Sequence, residues 1–359
     1  MASRIVVMAG GTGGHVFPAL AVARELRGRG WEISWLGTAD SFESRNVPKH
    51  GFVLDTIDAY RLRGQGLAGL LLAPFRLLKA MGQARKVLNQ RRPDMVLGMG
   101  GFATGPGGLM SRLMGLPLVI HEQNTIPGLT NRWLAKLASR VLEAFPGSFP
   151  DRVGARATGN PVREEIAALP EPGVRMAEHD GPVRILIVGG SLGALALNEI
   201  VPQALALLAA DHMLEIRHQA GRKKVEAAQA LYKKLNLRAQ VTEFLDDMAQ
   251  AYSWADLVIC RAGALTVSEL AAVGVGAILV PYPFAVDDHQ THNANYLVQG
   301  HAAILMPQAQ LDALSLSNKM KELLAEPGKL LALAQAARKL AMPDAARQVA
   351  DHCEQVMRS

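Results

Sequence analysis

The chain has 359 residues, of which 49% are hydrophobic and 19% charged, with a formal net charge of +6. That length points to two domains with a core in each. Two cysteines, Cys260 and Cys353, make no disulfide framework, and 5% aromatic content lacks the interleaving that single-strand nucleic-acid binders use, so secreted scaffolds and nucleic-acid partners are set aside. Residues 1–160 hold 20 Lys/Arg against 10 Asp/Glu, a balance of +10, whereas 161–359 hold 18 against 22, a balance of −4. The first half is therefore expected to meet an anionic partner, either a phosphorylated ligand or a membrane surface.

Along the chain, short apolar runs alternate with helical stretches. "RIVVMA" opens the series and the first strand leaves no room for a signal peptide, so a cytosolic chain is expected. "PALAVARELRGRG" reads as a helix, followed by strands at "EISWLG", "DMVLGM", "LPLVIHE" and "SRVLEAF". The longest wholly apolar run, "LAGLLLAPF" at 67–75, is too short to span a bilayer. A polar stretch at 168–182 reads as an interdomain linker. The pattern then restarts with "VRILIVGGSLGALALNEIVPQALALL" and continues through "LEIRHQA", "AQVTEF", "DLVICR" and "AILVPY". From about 312 onward only helices are expected. Nearly continuous apolar strands between helices predict α/β architecture: two Rossmann-like domains with parallel sheets covered on both faces.

Three glycine-rich loops follow strands and precede helices: Gly10-Gly11-Thr12-Gly13-Gly14-His15, "GMGGFATGPGG" at 98–108, and Gly189-Gly190-Ser191-Leu192-Gly193-Ala194. Exposed backbone N–H groups at such turns, together with the helix dipole, favour an anion. None ends in the Gly-Lys-Ser/Thr of a P-loop. Gly98, Gly100 and Ala103 match the G-x-G-x-x-A dinucleotide form, with Glu122 about 20 residues on. They follow a later strand of their domain, which leaves a nicotinamide-dependent dehydrogenase as a distant alternative.

"GGTGGHVFPALAVA", "GMGGFATGPGG", "HEQNTIPGLTNR", "TGNPVR", "GGSLGA", "EFLDDM" and "RAGALTVSELAAVG" occur in this order over nearly the whole chain. The set resembles glycosyltransferase family 28, and within it the peptidoglycan-building N-acetylglucosaminyltransferases of the MurG type, which have the GT-B fold with two sheets facing across a cleft. The resemblance implies inverting transfer of N-acetylglucosamine from UDP-N-acetylglucosamine to the C4 hydroxyl of the muramoyl sugar of lipid I, giving lipid II, with no cofactor and no obligatory metal. It implies domains at 1–160 for acceptor and membrane and 161–340 for the UDP-sugar, with a helix at 341–359 packing back on the first. A UDP-N-acetylglucosamine 2-epimerase shares the twin-domain plan and remains the alternative.

The resemblance further implies donor contacts at Thr12, Gly13, Gly14, Asn124, Arg163, Ser191, Leu245, Ala264, Leu265, Thr266, Val267, Ser268, Glu269 and Gln290. Glu269 suits the vicinal ribose hydroxyls, because a carboxylate accepts from both. Ser191 and its loop suit the pyrophosphate, where charge grows as UDP leaves. The acceptor diphosphate is expected at Gly13, Gly14, His15, Gly100 and Gly101. Attack by a sugar hydroxyl needs a base: His15 is the first candidate, Glu122 the second and His121 the third. Leu192 stands where the family usually has glutamine, and Ala262 where it has serine; neither change removes a charged group.

Asp287, Asp288, His289 and His292 lie close in sequence, but an aspartate capping a helix explains them better than a metal. The segment 67–86 joins Leu67, Leu70, Leu71, Leu72, Phe75, Leu77 and Leu78 to Arg76, Lys79, Arg85 and Lys86, a composition suited to an anionic lipid headgroup region. Peripheral attachment to the cytoplasmic face of the bacterial inner membrane follows as an expectation, with other cell-wall synthesis proteins as candidate partners.

Overall fold

The computed structural model describes residues 2–59, 66–177, 181–190, 193–326 and 328–358, with backbone alone for 66–71. The chain divides into two compact units, Met1–Arg163 with Pro343–Ser359, and Glu164–Met342. In the first, strands β1 (Arg4–Met8), β2 (Glu32–Gly37), β3 (Val53–Thr56), β4 (Met95–Gly98), β5 (Leu118–Glu122), β6 (Arg140–Glu143) and β7 (Arg156–Ala157) form a sheet in the order β3-β2-β1-β4-β5-β6-β7. In the second, β8 (Val183–Val188), β9 (Leu214–Gln219), β10 (Gln240–Thr242), β11 (Leu257–Cys260), β12 (Gly276–Leu279) and β13 (Ala303–Leu305) take the order β10-β9-β8-β11-β12-β13. Every pairing is parallel, as the unbroken apolar strands predict.

Strand alternation explains the two-sided cover. In β1, Ile5 and Val7 join a core with Val16, Ala19, Leu20 and Ala23 of α1 (Gly13–Gly28). Val6 and Met8 join the opposite core, which includes Ala80, Ala84 and Leu88. Those three lie on α3 (Gly66–Arg91), which follows the short α2 (Phe42–Asn46). In the second unit, Ile185 and Ile187 pack with Leu197, Val201, Ala204 and Leu205 of the helix Leu195–Leu208.

α1 starts at Gly13, ahead of the expected proline start. Pro18 lies inside it as the sixth residue, past the open N–H groups of the start, so the helix forgoes one bond to the Gly14 carbonyl. The edge strands β3, β7 and β13 escape the sequence reading because they are short and carry one buried residue between them. The final helix, Ala345–Arg358, belongs to the first unit. It buries Val349, Ala350 and Cys353 in the core shared with α1, and Arg29 of the turn after α1 reaches Asp351 at 2.7 Å.

The stretch at 168–182 is no linker in its described part. Helix Pro172–Ala177 packs into the second unit, where Arg175 donates to the carbonyls of Ala255 at 2.7 Å and Gly274 at 2.8 Å. The division falls instead after Arg163.

In both sheets the first strand borders the fourth strand to enter, β1 beside β4 and β8 beside β11. At such a switch of direction the following loops diverge and leave a crevice at the strands' carboxyl ends, where open α/β sheets bind ligands. The glycine loops occupy these two positions.

Candidate functional site

At the first switch point, the loops after β1 and β4 are joined. Gly10 N–H donates to the Gly100 carbonyl at 3.2 Å, and Met99 N–H to Met8 at 2.7 Å. Gly100 and Gly101 have φ of +91° and +95°. A Cβ on Gly101 would stand 2.6 Å from Gly10 N, and one on Gly100 would meet the His15 ring at 2.8 Å. These glycines serve the close approach of two loops and the seating of a histidine. The second loop continues into α4 (Thr104–Leu113), and the Thr104 hydroxyl donates to the Gly100 carbonyl at 2.8 Å.

Thr12 is the exposed N-cap of α1, with extended backbone and no side-chain cap. Among the described residues, the Gly13 and Gly14 N–H groups have no intrahelical partner, and the first turn contains no acidic residue. This end of the helix is therefore electropositive. His15 Nδ1 lies 3.0 Å from the Gly10 carbonyl. A carbonyl only accepts, so Nδ1 donates here, and in the neutral ring Nε2 then keeps the lone pair, the tautomer of a base.

The other two base candidates are placed differently. Glu122 is 2% exposed, and each of its oxygens accepts twice: Oε1 from Asn124 N at 2.9 Å and Nδ2 at 3.1 Å, Oε2 from Gly128 N at 3.0 Å and Asn131 Nδ2 at 2.9 Å. It clasps the turn leading to α5 (Leu129–Leu134), with both oxygens engaged there. His121 is fully buried between the Gly159 carbonyl and Gln123, and burial lowers its pKa to about 4. It too is a structural histidine. Asn124 is occupied with Glu122 in this structure. Arg163 lies in the first unit, its guanidinium 5.3 Å from the centroid of Phe17 on α1, so it accompanies the first loop pair.

At the second switch point, Gly189 N–H donates to Gln219 at 3.2 Å and Lys224 Nζ donates to the Gly193 carbonyl at 3.2 Å. Ser191 and Leu192 lie outside the described residues. After β11, helix Ala264–Val273 begins from Gly263, with Val267 as the first N–H bonded within it. Among the described residues, the N–H groups of Ala264, Leu265 and Thr266 have no intrahelical partner, and no carboxylate occupies the first turn. Val267 packs in the interior and the Ser268 hydroxyl donates to the Ala264 carbonyl at 3.0 Å. Glu269 is 4% exposed and accepts from the Tyr252 hydroxyl at 3.2 Å, which orients its carboxylate.

Gln290 accepts from Tyr282 N–H at 2.9 Å through Oε1, which turns its amide donors away from that backbone. Leu245 is half-buried in the loop after β10. Asp288 occupies the N-cap position of helix His289–Gln299, but its backbone is left-handed and its carboxylate accepts from Thr291 instead of capping N–H groups, which corrects the expected capping for Asp288. His289 Nδ1 is bound to the Val286 carbonyl at 2.7 Å.

Sequence reasoning missed Tyr252 and Glu43, both buried partners of functional segments. Neither lies in a glycine loop, and only a fold brings them there.

Comparison with known proteins supplies the family. Residues 5–143 match the glycosyltransferase family 28 N-terminal domain, and 184–349 match the family 28 C-terminal domain. A Marinobacter nauticus protein is 55% identical over 98% of this chain and 96% of its own length. A Methylococcus capsulatus protein is 54% identical over 98% of each chain. Both are named UDP-N-acetylglucosamine–N-acetylmuramyl-(pentapeptide) pyrophosphoryl-undecaprenol N-acetylglucosamine transferase. The crystal structure of Acinetobacter baumannii MurG superposes with a TM-score of 0.85 at 43% identity, covering 98% of this chain and 99% of that one. The chain is a member of glycosyltransferase family 28.

Proposed function

We propose that this chain transfers N-acetylglucosamine from UDP-N-acetylglucosamine to the C4 hydroxyl of the muramoyl sugar of lipid I, giving lipid II with inversion at the anomeric carbon. The function named for its relatives supports this reading over epimerase and dehydrogenase chemistry. The observation that carries it is His15, held as the Nδ1–H tautomer beside an uncapped, carboxylate-free helix start.

In this reading the first unit receives the acceptor. Its diphosphate lies on the Gly13 and Gly14 N–H groups, with Gly100 and Gly101 shaping the wall. His15 Nε2 takes the proton of the attacking hydroxyl as oxygen bonds to C1 of the donor sugar. The C1–O bond to UDP breaks on the opposite face, and its electron pair leaves on the β-phosphate. The second unit holds the donor: Glu269 takes the ribose hydroxyls, Leu245 flanks the base and Gln290 reaches the sugar. The growing phosphate charge falls on the open N–H groups of Ala264–Thr266 and on the Gly189–Gly193 loop, including Ser191.

The acceptor is lipid-linked, and α3 meets that need. Leu72, Phe75, Leu77 and Leu78 are exposed at 49, 72, 39 and 64%, while Ala80, Ala84 and Leu88 further along are buried. Arg85 and Lys86 are exposed nearby, and no helix among the described residues is long and apolar enough to cross a membrane. The exposed half of α3 is proposed to lie among anionic headgroups on the cytoplasmic face, leaving the buried half to anchor it.

The deciding experiment incubates the protein with labelled UDP-N-acetylglucosamine and a lipid I analogue in detergent. Acceptor-dependent label in lipid with matching UDP release is expected. UDP release or 2-epimerisation without incorporation overturns the proposal.

A further inference from the structure

Glu43 is 1% exposed, on the five-residue α2. A capping box fixes that short helix: Ser41 Oγ accepts from Ser44 N at 3.1 Å, and Ser44 Oγ accepts from Ser41 N at 2.9 Å. The carboxylate points beneath the first glycine loop. Oε2 accepts from Gly11 N–H at 2.8 Å, while Oε1 accepts from Thr38 N–H at 3.0 Å and the Thr38 hydroxyl at 2.8 Å. Desolvation raises its pKa, but the hydrogen bonds from Gly11 and Thr38 outweigh it and hold the carboxyl below the usual range. A methyl on Gly10 would collide with this carboxylate, and one on Gly37 would come within 2.7 Å of its Cγ.

Gly10 is therefore gripped from two sides. Glu43 lies against one, and the Gly101 backbone lies against the other, with a hydrogen bond from Gly10 N–H to Gly100. The carbonyl of this immobilised residue receives His15 Nδ1–H. Burying a carboxylate is costly, and here it fixes one peptide unit whose carbonyl decides the tautomer of an imidazole.

We propose that Glu43 is a positioning residue for the glycosyl transfer: by holding the Gly10–Gly11 peptide it keeps His15 in the Nδ1–H form with Nε2 ready to accept the sugar hydroxyl's proton. This rests on the reading of His15 as the base. Glu43 itself touches no substrate.

The test uses the full chain with E43Q, which preserves shape but places an amide donor among N–H and O–H donors. Turnover of the lipid I analogue is expected to fall about tenfold or more in kcat, since small misplacements of a reacting group are costly. The dissociation constant of UDP is expected to stay unchanged. Nitrogen-15 NMR of labelled histidine, with His15 assigned through H15A, is expected to show Nδ1–H in the native protein and loss of that preference in E43Q. T38V removes one donor from the same carboxylate and is expected to show a smaller change in both readouts. Native kcat and native tautomer in E43Q overturn the proposal; if E43Q does not fold, the same result in T38V does so. The tautomer readout needs no turnover. A fully active H15A would therefore sink the base assignment while leaving the link from Glu43 to the imidazole separately testable.

Discussion

The two glycine-loop pairs occupy equivalent switch points, after β1 and β4 and after β8 and β11, yet they are built differently. The first is crowded: two loops touch backbone to backbone, a carboxylate is buried beneath them, and a histidine is seated on Gly10. The second carries a helix start at which, among the described residues, three N–H groups have no intrahelical partner, and a carboxylate oriented by Tyr252. A proton acceptor must be placed within a fraction of an ångström and in one tautomer, which calls for rigid packing. Charge developing on a leaving diphosphate is spread over several oxygens, which backbone dipoles stabilise without a titratable group. In the reading proposed here, the same sheet topology serves proton transfer in one unit and anion stabilisation in the other.

That division predicts separable losses. H15A is expected to lower kcat by about 10²–10⁴, the usual share of general base catalysis, with UDP affinity unchanged. Stopped assays with the lipid I analogue and calorimetric titration of UDP check both halves, and weaker UDP binding in H15A would contradict the split. In the opposite direction, E269A is expected to weaken UDP binding by about 10–100-fold, the loss of one or two hydrogen bonds to a charged acceptor. Its kcat at saturating donor should fall far less. G101A forces a side chain onto a residue at φ +95° and into Gly10. A strained residue of this kind costs about 1–3 kcal/mol, so roughly 5–100-fold in kcat/KM for acceptor is expected, again without change in UDP affinity.

These losses bear on what the sequence displayed. The alternation of strands and helices, the restart at "VRILIVGGSLGA" and the glycine loops were legible because each is a local pattern. Family resemblance named Glu269, while local chemistry put His15 first as base and left Glu122 and His121 open beside it. Separating them required hydrogen-bond partners contributed from Gly10, Asn131 and Gly159, which no spacing rule reveals. Glu43 reads in sequence as one more surface carboxylate after "GTADSF". Its role depends on a fold that brings α2 beneath a loop about thirty residues earlier in the chain. The resemblance places Arg163 with the donor; its stacking over Phe17 of the first unit is a contact that only the fold reveals.

The proposed lipid attachment sharpens the comparison from outside the site. Replacing Phe75 and Leu78 by serine removes exposed apolar surface without touching the buried half of α3. Sedimentation with anionic vesicles is expected to drop several-fold, at about 25 cal/mol per Å² of apolar surface withdrawn from lipid. UDP affinity should hold, and so should turnover of a short-chain acceptor in detergent. Unchanged vesicle binding would move the membrane contact elsewhere on the molecule.

The smallest expected effect is one the two units share. Each holds a buried histidine at the carboxyl end of a strand: His121 between Gly159 and Gln123, and His218 between Asn198 and Tyr232. Burial lowers both to about 4, against 6.5 for a free imidazole. Below pH 6.5 the unfolded chain takes up protons that the folded chain refuses. The stabilisation from keeping these rings neutral is therefore complete above pH 6.5 and is lost progressively down to about pH 4. Each ring contributes a slope of up to about 1.4 kcal/mol per pH unit within that window. Urea unfolding at pH 7 and pH 5 should show the loss, and a non-titrating H121Q should be less stable at pH 7 yet lose less on acidification. An equal loss in native and H121Q protein would mean that His121 is protonated in the folded state, and so is not the sealed structural group that leaves His15 as the proposed base of the first unit.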